Sequence, residues 1–332
     1  MNRKAIKVLK FKKHQVWPNK KKWNSTTDWI ARSVLGMPRI NKKTKIVSMG
    51  SCFAREVKKW LLCNEFNYLL GENEKCHWVS STVFKGDRGM KPYQHASVAW
   101  ERVYNTFSFR QIIEYSFQDT RIDERILEVK CRGHGDRSFF SDLLRTRILY
   151  PDHSTAVSDI EDHAKSSRQV LCEAEVLILT LGLTEIWQSA ERNIVISSHP
   201  GTHYDIPADF RCRYQENLDN LLEGLALLRT YNQEIKVIVT VSPVHLLATS
   251  RSDMDVISAS CNSKSTLRAV ADVFQLEDGI HYFPSYEIAS ITSAMDSVNV
   301  YPDNHHVSEQ VVERIMQVFK ASAYGLDIRR FL

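Results

Sequence analysis

Two places in this 332-residue chain bring together side chains able to do covalent chemistry. The first is Gly50-Ser51-Cys52-Phe53-Ala54, where a hydroxyl and a thiol follow a glycine. The second is Asp303-Asn304-His305-His306-Val307-Ser308. An aspartate and a histidine three residues apart can share one turn, the carboxylate holding one ring nitrogen while the other faces a nucleophile. Cys52 or Ser51 as nucleophile, His306 as base and Asp303 as orienter would make an acyl-transfer triad. Each part also has an ordinary reading: a buried cysteine in a strand–turn–helix, and an Asp-rich turn capped at Ser308.

The elements that must position these groups can be read from periodicity. Ile46, Val47 and Met49 form a β-prone run over Lys45–Met49 that ends at Gly50, and Ala54, Val57, Trp60 and Leu61 then recur at helical spacing over Phe53–Cys63. The junction thus lies at a strand's carboxyl end and a helix's N-terminus, where open α/β sheets place ligands and where a thiolate or oxyanion is favoured. Val176–Leu181 is a continuous apolar run ending at Gly182, and Lys236–Val241 is another, ended by Ser242-Pro243. Helices are expected at Thr106–Phe117, Arg213–Thr230, Ala259–Phe274 and after Ser308, with a short strand at His281–Phe283. Strands alternating with helices predict right-handed βαβ units and a three-layer α/β/α fold with a mostly parallel sheet.

Composition is that of an ordinary globular protein: 43% hydrophobic and 25% charged. No apolar run reaches the ~20 residues needed to span a bilayer. Met1–Trp23 carries nine Lys and Arg and no acid, without the apolar stretch of a secretory signal, so a cytoplasmic location is expected. Without that arm the net charge of +5 turns negative, which argues against a nucleic-acid-binding face. The arm is expected to be solvated, with weak contact to an anionic membrane or a phosphorylated partner as the sharper alternative. Seven widely spaced cysteines without a C-x-x-C pair point to reduced thiols and no metal site. The divisions expected are a basic extension over 1–43, a body over 44–324 with insertions around 71–94 and 118–165, and a tail over 325–332.

The motifs carry a resemblance. Gly50-Ser51-Cys52-Phe53-Ala54 matches the signature of the GSCFA family. So do Thr180–Trp187, Thr240–Val244, Ser263–Arg268, Tyr282–Glu287 and Asp303–Ser308, together spanning about Lys45 to Phe319. That family is in turn similar to the SGNH (GDSL-type) hydrolases, which cleave or transfer acyl esters on a flavodoxin-like fold. The resemblance implies an esterase or O-acyltransferase acting on a small-molecule or carbohydrate substrate. No cofactor is implied beyond acyl-CoA as a possible acyl donor. A catalytically silent module binding a glycan or nucleotide-linked ligand is the alternative, and a scaffold acting through the basic arm is a third reading.

Carried over by position, Gly50 matches the SGNH glycine, Ser51 stands where the family has aspartate, and Cys52 stands at the nucleophile. Asp303 and His306 match the closing block, with His305 at the wrong spacing and expected on the surface. Gly182 and Thr184 occupy the block whose asparagine normally donates to the oxyanion; threonine offers a single shorter donor. Asn105 is a second candidate for that amide, its other reading being a helix N-terminal residue. Glu185 is expected either to orient substrate hydroxyls or to be a solvated or helix-capping group. His245 is a candidate substrate contact. Lys264 and Arg268, one helical turn apart, could bind phosphate, surface exposure being the commoner fate. Tyr282, Phe283 and Tyr286 read as core and rim rather than a sugar platform.

Overall fold

The computed structural model describes residues 15–17, 37–50, 52–71, 96–100, 102–118, 122–130, 137–197, 206–212 and 214–324. Ser51, most of the basic arm and of the 71–94 excursion, and the tail over 325–332 lie outside the described residues. In chain order the elements are β1 (Ile46–Met49), α1 (Cys52–Cys63), α2 (Thr106–Phe117), β2 (Ile126–Lys130), β3 (Ser138–Asp142), β4 (Arg145–Tyr150), α3 (His153–Glu173), β5 (Val176–Leu181), β6 (Glu185–Ser189), β7 (Ala208–Cys212), α4 (Glu216–Tyr231), β8 (Lys236–Val241), α5 (Val256–Phe274), β9 (Ile280–Tyr282) and α6 (Glu309–Tyr324). The expected helices at Arg213–Thr230 and Ala259–Phe274 thus begin at Glu216 and Val256, the latter because Asp255 caps the N–H groups of Ile257 and Ser258.

The fold is a three-layer α/β/α sandwich around a parallel sheet of order β1-β5-β8-β9. Its strands are buried on both faces, which explains the unbroken apolar runs. Val47, Met49, Leu177, Leu179, Leu181, Val237, Val239 and Val241 pack against residues of α2, α3, α4 and α5. The alternate positions Ile46, Val176, Ile178 and Ile238 pack against Phe53, Val57 and Leu61 of α1 and Val311, Ile315 and Phe319 of α6.

After α1 the chain crosses to the far side of β1, where Tyr68 makes one parallel bridge to Ile46. It then returns across the sheet to β5, which pairs with β1 on its other side in register Met49↔Leu179. With Tyr68 counted as a vestigial second strand, this is the flavodoxin-type order, and the winding reverses between β1 and β5. Gly50 and Gly182 therefore end the two strands that flank the switch point.

The insertion around 118–165 forms an antiparallel sheet, β2-β3-β4, and its last residues already belong to α3. A buried ion cluster anchors it. Asp142 takes Arg125 at 2.5 Å and Arg145 at 3.1 Å, and Arg145 reaches Asp159 at 2.7 Å. Burial alone would raise the Asp142 carboxyl, but the two guanidiniums and the Leu144 N–H bring it down to about 2. A second excursion, the β6–β7 hairpin, follows the Gly182 loop directly.

Candidate active site at the sheet switch point

Cys52 opens α1 two residues beyond Gly50. Gly50 has φ +156°, and a Cβ there would meet Ala54 Cβ at 2.7 Å and Thr180 Cβ at 2.8 Å. A glycine is required for the chain to turn this closely against β5. The Cys52 thiol is part-exposed and, like the other four described cysteines, unpaired in any disulfide.

Across the switch point lies a strap, 102–105. Val103 N–H donates to Gly50 O at 3.0 Å, and the Tyr104 carbonyl accepts from both Gly182 N–H (2.8 Å) and Leu183 N–H (3.0 Å). A Cβ on Gly182 would lie 2.9 Å from that carbonyl, so Gly182 is there for close approach. The strap delivers Asn105 beside the ends of β1 and β5. Its Oδ1 caps α2 by accepting Ser108 N–H at 2.8 Å, while its amide nitrogen has no hydrogen-bond partner among the described residues.

The oxyanion roles expected of Gly182 and Thr184 need correction. The Gly182 N–H is spent on the Tyr104 carbonyl. Thr184 is buried, its Oγ1 2.9 Å from Ser263 Oγ and 3.7 Å from Cys212 Sγ, and its N–H points to Ser263 Oγ at 3.4 Å. Both groups hold the loop together, and the Asn105 amide nitrogen lies at the same edge. Glu185 is likewise neither solvated nor a helix cap. It is buried and accepts from Thr249 Oγ1 at 2.5 Å and Ser250 N–H at 3.2 Å, pinning the long loop after β8.

That loop carries His245. Its ring lies 4.4 Å from Tyr301, centroid to centroid, with Nδ1 3.4 Å from Ser260 Oγ. The Tyr301 hydroxyl donates to Pro243 O at 2.9 Å, which seats the 301–306 turn at the carboxyl end of β8. In that turn Asp303 accepts the backbone N–H groups of His305 (2.9 Å) and His306 (2.6 Å) through Oδ1, with Asn304 in the left-handed region at φ +63°. The other oxygen, Oδ2, lies 2.7 Å from His306 Nδ1. The His306 side chain, followed by the two N–H donors, holds the Asp303 carboxyl well below the usual carboxylate range. The His306 ring is 50% exposed, and Nε2 has no partner among the described residues. Ser308 then begins α6, its Oγ 3.4 Å from Val311 N.

The surface position expected for His305 goes instead to His306. The His305 ring is part-buried against the His306 ring at 4.5 Å, and burial lowers its pKa, with further lowering from His306.

Sequence reasoning missed the depth of Lys264. It is wholly buried, its Nζ 2.6 Å from Gly182 O, and burial lowers the amine to about 7. The signal was there: Lys264 falls on the stripe Ser260, Lys264, Leu267, Ala271, Phe274, which is the buried face of α5. Arg268, one turn on, is taken by Glu287 at 2.7 Å and stacks on Tyr282, so it is not free for phosphate. Phe283 is core, and the Tyr282 hydroxyl is bound to Glu287.

Residues 45–319 match the GSCFA family. The chain belongs to the GSCFA family. No curated protein matches it. In this GSCFA protein the signature glycine is the strained turn at the switch point, and the closing Asp-x-x-His is a formed carboxylate–imidazole pair. Among the described residues no group of three or more His, Cys, Asp or Glu side chains could hold a metal ion, and no helix is long and apolar enough to cross a membrane.

Proposed function

We propose that this GSCFA protein is an acyl-ester enzyme, an esterase or O-acyltransferase, with Cys52 as nucleophile. The observation that carries this reading is the 2.7 Å Asp303–His306 pair, whose second ring nitrogen is left open on the sheet edge that Cys52 occupies. Asp303 fixes the ring so that Nδ1 carries the proton and Nε2 is basic. Strands β1 and β8 are separated only by β5, so their carboxyl ends lie roughly 10 Å apart. Cys52 follows the first, and Tyr301 ties the His306 turn to Pro243 just past the second.

In the reaction, His306 takes the thiol proton and Cys52 sulfur bonds to the acyl carbon. The tetrahedral oxyanion collects the Asn105 amide and N–H groups at the start of α1, a helix end suited to negative charge. The acyl–oxygen bond breaks, and the alcohol leaves with the proton from His306. Water, or an acceptor hydroxyl in a transferase, then gives its proton to His306 and attacks the thioester, releasing acid or new ester and restoring the thiol. A carbohydrate acceptor and a thioester donor such as acyl-CoA fit this chemistry.

Turnover of p-nitrophenyl acetate and of acetyl-CoA by the wild type and by Cys52→Ala, Ser51→Ala and His306→Ala tests the reading. Loss of turnover in Cys52→Ala and His306→Ala supports it. Equal turnover in all four proteins sinks the triad, and a wild type inert to both substrates favours a silent binding module.

A further inference from the structure

Helix α5 turns one face toward both loops of the site. Lys264 Nζ meets the Gly182 carbonyl at 2.6 Å, Ser263 meets Thr184, and Ser260 meets His245. His245 leans on Tyr301, which leads into the turn carrying His305 and His306. Three groups able to bear positive charge, Lys264, His245 and His305, thus lie close enough to act on one another, with His305 stacked against His306.

Asp303 acts on His305, and the carboxylates of this region are all engaged. Lys264 Nζ has one acceptor, a neutral carbonyl, and no carboxylate partner among the described residues. Asp303 is engaged by His306 and two backbone N–H groups, Glu185 by Thr249 and Ser250, and Glu287 by Arg268 and Tyr282. An amine buried without a counter-charge is costly unless something offsets it. A methionine would fill the same position on the apolar stripe without that cost.

We propose that Lys264, His245 and His305 form a subsite for an anionic oxygen group of the substrate, a phosphate or a carboxylate. The two part-exposed histidines make the contact, and Lys264 supplies its charge from beneath through a low-dielectric floor. This deepens the proposed function: the substrate of the site is an acid-bearing acyl compound or acceptor. The mutual repulsion of the three groups agrees with it. Burial, then Lys264 and His305, lower the His245 pKa; burial, His306 and Lys264 lower that of His305, with Asp303 opposing. A bound anion reverses those shifts.

The test is a histidine NMR titration of the full chain with inorganic phosphate and, separately, acetate, against chloride at equal ionic strength. The expected result is an upward move of the His245 and His305 pKa values by about one unit with the anion that fits. Lys264→Met and His245→Gln should each weaken that anion about tenfold, with Lys264→Arg retaining it. His245→Gln changes a loop residue and keeps the test open if Lys264→Met does not fold. Neither anion shifting the histidines beyond chloride, or His245→Gln binding as the wild type does, overturns the proposal. The titration needs no turnover: a protein that binds through these residues but cleaves no ester loses only the esterase reading, and one that cleaves esters but ignores both anions loses only the subsite.

Discussion

The Trp60 indole N–H donates to the Glu313 carboxylate at 3.1 Å, tying the helix that starts at Cys52 to the helix that follows His306. Phe66, folded back onto the end of α1 through its N–H to Leu61 O, packs on Tyr324 at the end of α6 at 6.1 Å, so α1 and α6 run side by side in the same direction. Trp60 lies about 12 Å along α1 from Cys52, and Glu313 about 6 Å along α6 from Glu309. The Cys52 end and the 303–306 turn therefore lie on the same side of the tie. Asp303→Asn and His306→Ala should each lower kcat by 10²–10⁴-fold, about the range of general acid–base catalysis, with melting temperatures near wild type because both side chains are half exposed. Steady-state kinetics and a thermal melt check this.

Cys52 and Ser51 can be separated by covalent trapping. As the nucleophile, Cys52 should alkylate with iodoacetamide faster than Cys63, Cys172 or Cys261, which are more exposed but lie elsewhere on their helices. Intact-mass analysis should find the acyl group from p-nitrophenyl acetate on the wild type and on Ser51→Ala, and not on Cys52→Ala. An acyl adduct retained by Cys52→Ala assigns the attack to another residue.

Asn105 has two jobs that one substitution separates. Aspartate can still accept the Ser108 N–H and cap α2, but it cannot donate to an oxyanion. Asn105→Asp should keep the melting temperature and lose about 10²–10³-fold in kcat, the typical effect of removing one oxyanion donor. Asn105→Ala should lose about 1 kcal/mol of stability as well. Equal kcat in Asn105→Asp and wild type would remove the amide from the mechanism.

Much of this was legible in the residues, and the exceptions share a cause. The apolar runs Ile46–Met49, Val176–Leu181 and Lys236–Val241 announced strands buried on both faces, and Asp303 and His306 pair at the spacing that suggested it. Local pattern could not show that the Tyr104 carbonyl takes the N–H groups of Gly182 and Leu183, because the partner lies some eighty residues away and a backbone acceptor leaves no trace in residue type. Glu185 failed likewise, its partners lying in a loop sixty residues on. Lys264 was misplaced because a charged residue was read by type rather than by its register on α5.

The insertion sheet rests on Asp142, which is completely buried between Arg125 and Arg145. Asp142→Asn leaves the buried Arg125 without its counter-charge and Arg145 with Asp159 alone, and should cost about 3–5 kcal/mol. Its folded pKa of about 2 is below the ordinary 3.8, so the stabilisation it gives is present above pH 4 and lost as the pH falls toward 2. Urea midpoints of wild type and Asp142→Asn should therefore converge below pH 3.

Lys264 sets a slope of the same sign in a higher pH window. Its folded-state amine titrates at about 7 against an ordinary 10.5, so between those values the unfolded chain binds the extra proton. Stability from this group rises with pH across that window, and the full burial cost is present below pH 7. Lys58, lowered by burial to about 8, adds a slope of the same sign from pH 8 upward and remains in the variant. The midpoint of wild type minus that of Lys264→Met should be nearly flat below pH 7 and grow from pH 7 to pH 9, with the variant closest to wild type, or above it, at pH 6. The lost hydrogen bond to Gly182 O shifts the whole difference by a constant and leaves its slope intact. Parallel pH curves for the two proteins would show that the buried amine keeps its ordinary proton affinity, and the electrostatic case for an anion beside it would weaken accordingly.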